Sequence, residues 1–64
     1  MRVNDEQISV ADSLTVLELL RQKEYPLTRI AVEVNGQIVP KAEYETYRLH
    51  DEDAVEIVCF VGGG

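Results

Sequence analysis

The sequence predicts an α+β fold, a β-sheet packed on one main helix, and three observations carry that reading. One stretch near residues 16–24 has a helix-start signature followed by a wide apolar face. An Asn-Gly pair joins two β-suited runs just after it, and the last stretch before the C-terminal glycines alternates in the manner of a strand. Sixty-four residues with 45% hydrophobic and only 6% aromatic side chains suit a single domain with a small aliphatic core. A chain of that length buries about 60% of the surface its unfolded form exposes, which leaves no room for a separate catalytic domain.

Taken in order, Val3 and then Ile8 and Val10 flank the polar group Asn4-Asp5-Glu6-Gln7, which reads as a tight hairpin with a short first strand. Thr15 with Glu18 three residues later forms a capping box. Leu14 and Leu19 occupy the positions of a hydrophobic staple, so the helix is expected to span 16–24. Val16, Leu17, Leu19 and Leu20 give its apolar face, which is core; Glu18, Arg21, Gln22 and Lys23 look outward. Pro26 has no N–H and biases Tyr25 toward an extended conformation, which ends the helix.

Ile30-Ala31-Val32-Glu33-Val34 and Gln37-Ile38-Val39 are joined by Asn35-Gly36, the pair that best supplies the two positive-φ residues of a type I′ turn. Pro40 places the second of these strands at a sheet edge. Residues 41–47 are compatible with one helical turn that closes Tyr44 and Tyr47 over the core. In the last strand, expected over 54–61, Val55, Ile57, Cys59 and Val61 share one parity, and Ala54, Glu56, Val58 and Phe60 share the other. Both faces are apolar toward its end, while a single helix covers one face. Val55 and Ile57 are therefore expected to face the helix, and Val58 and Phe60 to contribute to an exposed docking patch.

The composition also excludes functions. Twelve acidic against six basic side chains give a formal charge of −6, which repels phosphate backbones and anionic lipid, so neither nucleic acid nor membrane is expected as a ligand. The longest apolar run is residues 57–61, and no signal peptide is evident. With Cys59 the only cysteine, the chain reads as cytoplasmic. Cys59 reads first as a buried structural thiol, His50 as a surface residue, and Asp51-Glu52-Asp53 as a solvated turn, because the alternate spacing and the glycine of a calcium loop are missing. Without a nucleophile and base pair or a metal cluster, an enzyme is the least favoured class.

The remaining feature is the glycine end. Gly62, Gly63 and Gly64 add nothing to a core and lose the most conformational freedom on ordering. One reading is a frayed end or the scar of an expression vector. The other is delivery: three extended glycines reach roughly 10 Å, thread a narrow cleft and leave the terminal carboxylate unhindered.

The order of hairpin, capped helix, hairpin, short turn and final strand with a glycine end resembles the ThiS family of ubiquitin-like sulfur carriers in thiamine biosynthesis. The likeness runs over the whole length. It rests on Thr15-Val16-Leu17-Glu18-Leu19-Leu20, Val34-Asn35-Gly36-Gln37-Ile38-Val39-Pro40-Lys41, Tyr44, Val55-Glu56-Ile57-Val58 and Val61-Gly62-Gly63-Gly64. Two departures are the Asp51-Glu52-Asp53 turn, where the family commonly has Asp-Gly-Asp, and the short first strand. The resemblance implies a β-grasp fold with a mixed sheet over 1–61 and a flexible tail over 62–64.

It further implies a protein co-substrate rather than an enzyme. Gly64 would be adenylated by a ThiF-like ATP-dependent adenylyltransferase and converted to a thiocarboxylate by a sulfur donor such as a cysteine desulfurase. Its sulfur would then pass to a ThiG-like thiazole synthase. Gly62 and Gly63 would allow threading and Val58 and Phe60 docking. The chain itself would bind no cofactor, ATP and magnesium belonging to the activating partner. The alternatives are a carrier of the molybdopterin synthase small-subunit type, a modifier that forms lysine-linked conjugates, and a β-grasp interaction module whose tail is inert.

Overall fold

In the computed structural model, which describes residues 1–9 and 13–60, the elements follow the predicted order with two additions. They are β1 (Arg2–Val3), β2 (Glu6–Gln7), β3 (Leu14–Thr15), α1 (Val16–Gln22), β4 (Ile30–Val34), β5 (Gln37–Ile38), a 3₁₀ turn (Lys41–Glu43), β6 (Arg48–Leu49) and β7 (Ala54–Cys59). The main sheet has the order β2-β1-β7-β4-β5. Its central pair β1 and β7 is parallel and the other pairs are antiparallel, so the sheet is mixed. The two additions, β3 and β6, form a small ladder of their own, with Leu14 opposite Leu49. Two-residue strands carry too little alternation to be seen in a sequence.

Helix α1 starts as its sequence dictates. The Glu18 N–H donates to Thr15 Oγ1 at 3.1 Å and the Thr15 N–H donates to Glu18 Oε1 at 2.7 Å, which completes the capping box. The two remaining first-turn donors are met from a distance: the Val16 N–H reaches the Tyr47 carbonyl at 3.0 Å and the Leu17 N–H reaches that of Tyr44 at 2.9 Å. The segment after the 3₁₀ turn is thus bonded to the head of the helix, which leaves no first-turn donor orphaned. Val16, Leu19 and Leu20 are buried against Val32, Val34, Leu49, Val55 and Ile57, while Leu17 is only half-buried. Tyr44 closes the core as expected, and burial pushes its phenol up from the usual value.

The helix ends earlier than the 16–24 expectation. Its cap is Lys23, and Glu24 adopts φ +61°. The Glu24 N–H donates to the Arg21 carbonyl and the Tyr25 N–H to that of Leu20, a Schellman closure completed before Pro26 has any say. A glutamate in this left-handed position is strained, since glycine is the residue that adopts it freely. Glu24→Gly is expected to raise stability by about 1 kcal/mol, or about 4 to 8 °C in Tm, as read by thermal unfolding.

The first hairpin also differs from expectation. Asn4 and Asp5 alone make the turn, with Asn4 at φ +55°, so Glu6 and Gln7 are the returning strand rather than part of the turn. Ile8 continues the ladder, its N–H bonded to the Met1 carbonyl at 2.9 Å, and Val10 lies outside the described residues. The physical reason is that a left-handed asparagine lets a two-residue turn suffice. The second hairpin is as predicted: Asn35 at φ +52° and Gly36 at φ +85° form the I′ turn, and β5 lies at the sheet edge.

Asn35 has a second task. Its Oδ1 accepts the Ala54 N–H at 3.0 Å, and its Nδ2 donates to Asp53 Oδ1 at 3.0 Å. Asp53 Oδ2 in turn accepts the His50 N–H at 2.8 Å, so the acidic turn, exposed at Asp51 and Glu52, is braced at its third residue. This bracing sets where β7 begins.

Candidate functional site

β7 pairs with β4 from Val55 to Cys59, Ile30 opposite Cys59 and Val34 opposite Val55. The core-facing parity holds where predicted: Val55 and Ile57 are buried. On the opposite parity Val58 is 50% and Phe60 56% exposed, so two large apolar side chains stand in solvent at the exit of the strand. Register places Ala31, Glu33 and Ile38 on that same outer face, Ile38 being 67% exposed. Farther along it, Arg2, Asn4, Asp5, Glu33 and Glu56 line a shallow polar depression of about 330 Å³. The outer face therefore runs from a polar, mostly acidic end beside β1 to an apolar end where the chain leaves the sheet.

Cys59 contradicts its expectation: the thiol is exposed, not buried. Parity aims it to the side of Val55 and Ile57, but α1 is seven residues long, about 10 Å, and covers only the first part of that face. The neighbours of β7 explain its other edge. β1 pairs only with Ala54 and Val55 before the chain turns at Asn4. The Asn4 N–H then donates to the Val55 carbonyl at 2.8 Å, its Oδ1 accepts the Ile57 N–H at 2.8 Å, and its Nδ2 lies 3.4 Å from the Ile57 carbonyl. One asparagine side chain thereby substitutes for a missing strand residue. No sequence signal separates that role from ordinary turn-forming.

The strand end is anchored on the β4 side. The Phe60 N–H donates to the Arg29 carbonyl at 2.7 Å, with Arg29 itself at φ +59°. The structure thus fixes the backbone up to residue 60. Val61 and the expected reactive and threading residues Gly62, Gly63 and Gly64 lie outside the described residues. Among the described residues no group of three or more His, Cys, Asp or Glu side chains is placed to hold a metal ion. His50 is exposed, and among the described residues no helix is long and apolar enough to cross a membrane.

A mixed five-stranded sheet on one helix, with its last strand in the middle of the sheet, defines the class: a ubiquitin-like β-grasp domain of the kind found in small carriers. The family model described as the ThiS family matches residues 1–64, and the chain belongs to that family. It is 40% identical over 62 residues to thiazole synthase of Paramagnetospirillum magneticum, covering 97% of this chain and 19% of that protein's length. It is 40% identical over 53 residues to the sulfur carrier protein ThiS of Bacillus subtilis, covering 83% of this chain and 80% of that protein. The crystal structure of the thiamine biosynthesis protein ThiS from Geobacter metallireducens superposes with a TM-score of 0.79 at 33% identity, covering 98% of this chain and 96% of the other.

Proposed function

We propose that this chain carries sulfur as a thiocarboxylate on Gly64 for thiazole formation. The observation that supports this is that the family match runs to residue 64, so the glycine end falls within the family pattern rather than beyond it. An ionised carboxylate, with a pKa of about 3.3 to 3.7, is a poor electrophile. In the proposed sequence a Gly64 carboxylate oxygen attacks the α-phosphorus of ATP in a ThiF-like partner and pyrophosphate leaves. The terminal sulfur of a donor persulfide, such as that of a cysteine desulfurase, then displaces AMP from the acyl carbon, and a thiol reductant cleaves the S–S bond of the resulting acyl disulfide to leave the thiocarboxylate. ATP and magnesium belong to that partner, and the chain itself is a co-substrate.

The relative named thiazole synthase supports a ThiG-like acceptor, since a domain similar to this chain occupies part of that longer protein. Val58 and Phe60 serve as the docking pair in this reading. Both are exposed at the strand exit, and large apolar side chains there have no core role to explain them. Gly62 and Gly63 let the end thread the partner's cleft.

The test is mass spectrometry of the protein and its C-terminal peptide after incubation with ATP, a ThiF-like enzyme and a sulfur source. Exchange of one terminal oxygen for sulfur at Gly64 is expected. Mapping to the peptide matters because Cys59 is exposed and its oxidation to a sulfenic acid adds nearly the same mass. An unmodified Gly64, with enzymes shown to be active on another carrier, overturns the reading and leaves the inert interaction module.

A further inference from the structure

In an antiparallel pair, residues alternate between those that exchange hydrogen bonds with the partner strand and those whose N–H and C=O point the other way. The Phe60 N–H bonds to the Arg29 carbonyl and the Asn35 N–H to the Ala54 carbonyl, so the even-numbered residues of β7 bond to β4. Val55, Ile57 and Cys59 accordingly turn their backbone groups toward the opposite edge. There the Val55 carbonyl is taken by the Asn4 N–H, and the Ile57 N–H by Asn4 Oδ1. For Cys59 no hydrogen bond is made on that side among the described residues, because β1 ends at Val3 and the Asn4 side chain bonds no farther than Ile57.

β7 is therefore a central strand at its start and an edge strand at its end. An open edge with a free donor and acceptor is a template for a further strand. It lies beside the exposed pair Val58 and Phe60 and one residue before the stretch that leads to the glycine end. We propose that this edge takes an extended segment of a ThiG-like thiazole synthase as an added strand, whose backbone pairs with the N–H and C=O of Cys59; a stretch similar to this chain lies within a relative of that name. Apolar side chains of that segment lie alongside Val58 and Phe60. This deepens the carrier reading and rests on it. Strand addition would hold Cys59 and Phe60 in line with the partner's cleft, so that the glycines are delivered in one direction.

The test is amide hydrogen exchange on the full ¹⁵N-labelled chain, alone and with a purified ThiG-like thiazole synthase. Alone, the Cys59 amide is expected to exchange faster than that of Phe60, which is bonded to Arg29. In the complex its exchange slows at least about tenfold, the protection that a new backbone hydrogen bond confers. Cys59→Pro removes an N–H that makes no hydrogen bond among the described residues, and is expected to weaken the complex about tenfold, while Cys59→Ala, which keeps the N–H, is expected to bind as the original; thermal unfolding checks that the proline variant remains folded. A complex that perturbs Val58 and Phe60 but leaves the Cys59 amide exchanging at its free rate overturns strand addition and spares the carrier reading. Absence of a complex with the thiazole synthase overturns the two together.

Discussion

A tryptophan added after Gly64 is expected to abolish adenylation by a cognate ThiF-like enzyme and to leave the Tm of the domain unchanged. The added residue moves the terminal carboxylate about 3.3 to 3.6 Å along the chain, and places an indole where the proposed mechanism needs an unhindered glycine. A misplacement of about 1 Å from a productive geometry already costs about a hundredfold, so the loss should exceed that. The core ends well before this position: Ile57 is the last buried residue of β7, which is why folding should be indifferent. Release of pyrophosphate and the intact mass read the first arm, thermal unfolding the second. An extended chain adenylated at the rate of the original would sink the proposed role of Gly64.

The second large effect is on the fold. Leu19→Ala is expected to cost about 2 to 5 kcal/mol, because Leu19 is fully buried in the core cluster and truncation removes its transfer energy and leaves a cavity. A 64-residue domain has only about 3 to 10 kcal/mol in all, so this one substitution takes a large share of it. Urea unfolding should show the midpoint falling steeply, with a sizeable unfolded fraction in buffer. Phe60→Ser, at a half-exposed site, is expected to change stability by less than about 0.5 kcal/mol in the same measurement. If the two variants unfold at the same urea concentration, the division between core and docking surface is wrong.

Much of this fold is legible because its signals are local. The Thr15 and Glu18 capping box acts over three residues, the Asn35-Gly36 turn over two, and the parity of Val55 and Ile57 follows from the strand repeat itself. The exposure of Val58 and Phe60 was likewise readable, since one short helix cannot cover two apolar faces. The helix end was misplaced because Glu24 closes it in a conformation that favours glycine, and composition gives no warning when an unfavoured residue is held there by two hydrogen bonds. Cys59 was misassigned for a related reason: parity tells which side a residue faces but not how far along that side the cover extends.

The sequence by itself determined the order of the main elements, the Asn35-Gly36 turn, the apolar faces and a glycine end that matches a known family pattern. These are properties of neighbouring residues and of periodicity. The tertiary structure alone decided how far each strand is accompanied by its neighbours. It is there that Asn4 becomes a stand-in for a strand residue, Asn35 and Asp53 fix the start of β7, and Tyr44 and Tyr47 supply carbonyls to the head of the helix. The open edge at Cys59 belongs to the same class of fact. A hydrogen bond between residues 53 apart in sequence, such as that from Ile57 to Asn4, exists only once the chain has folded, so no local pattern can encode where the sheet stops.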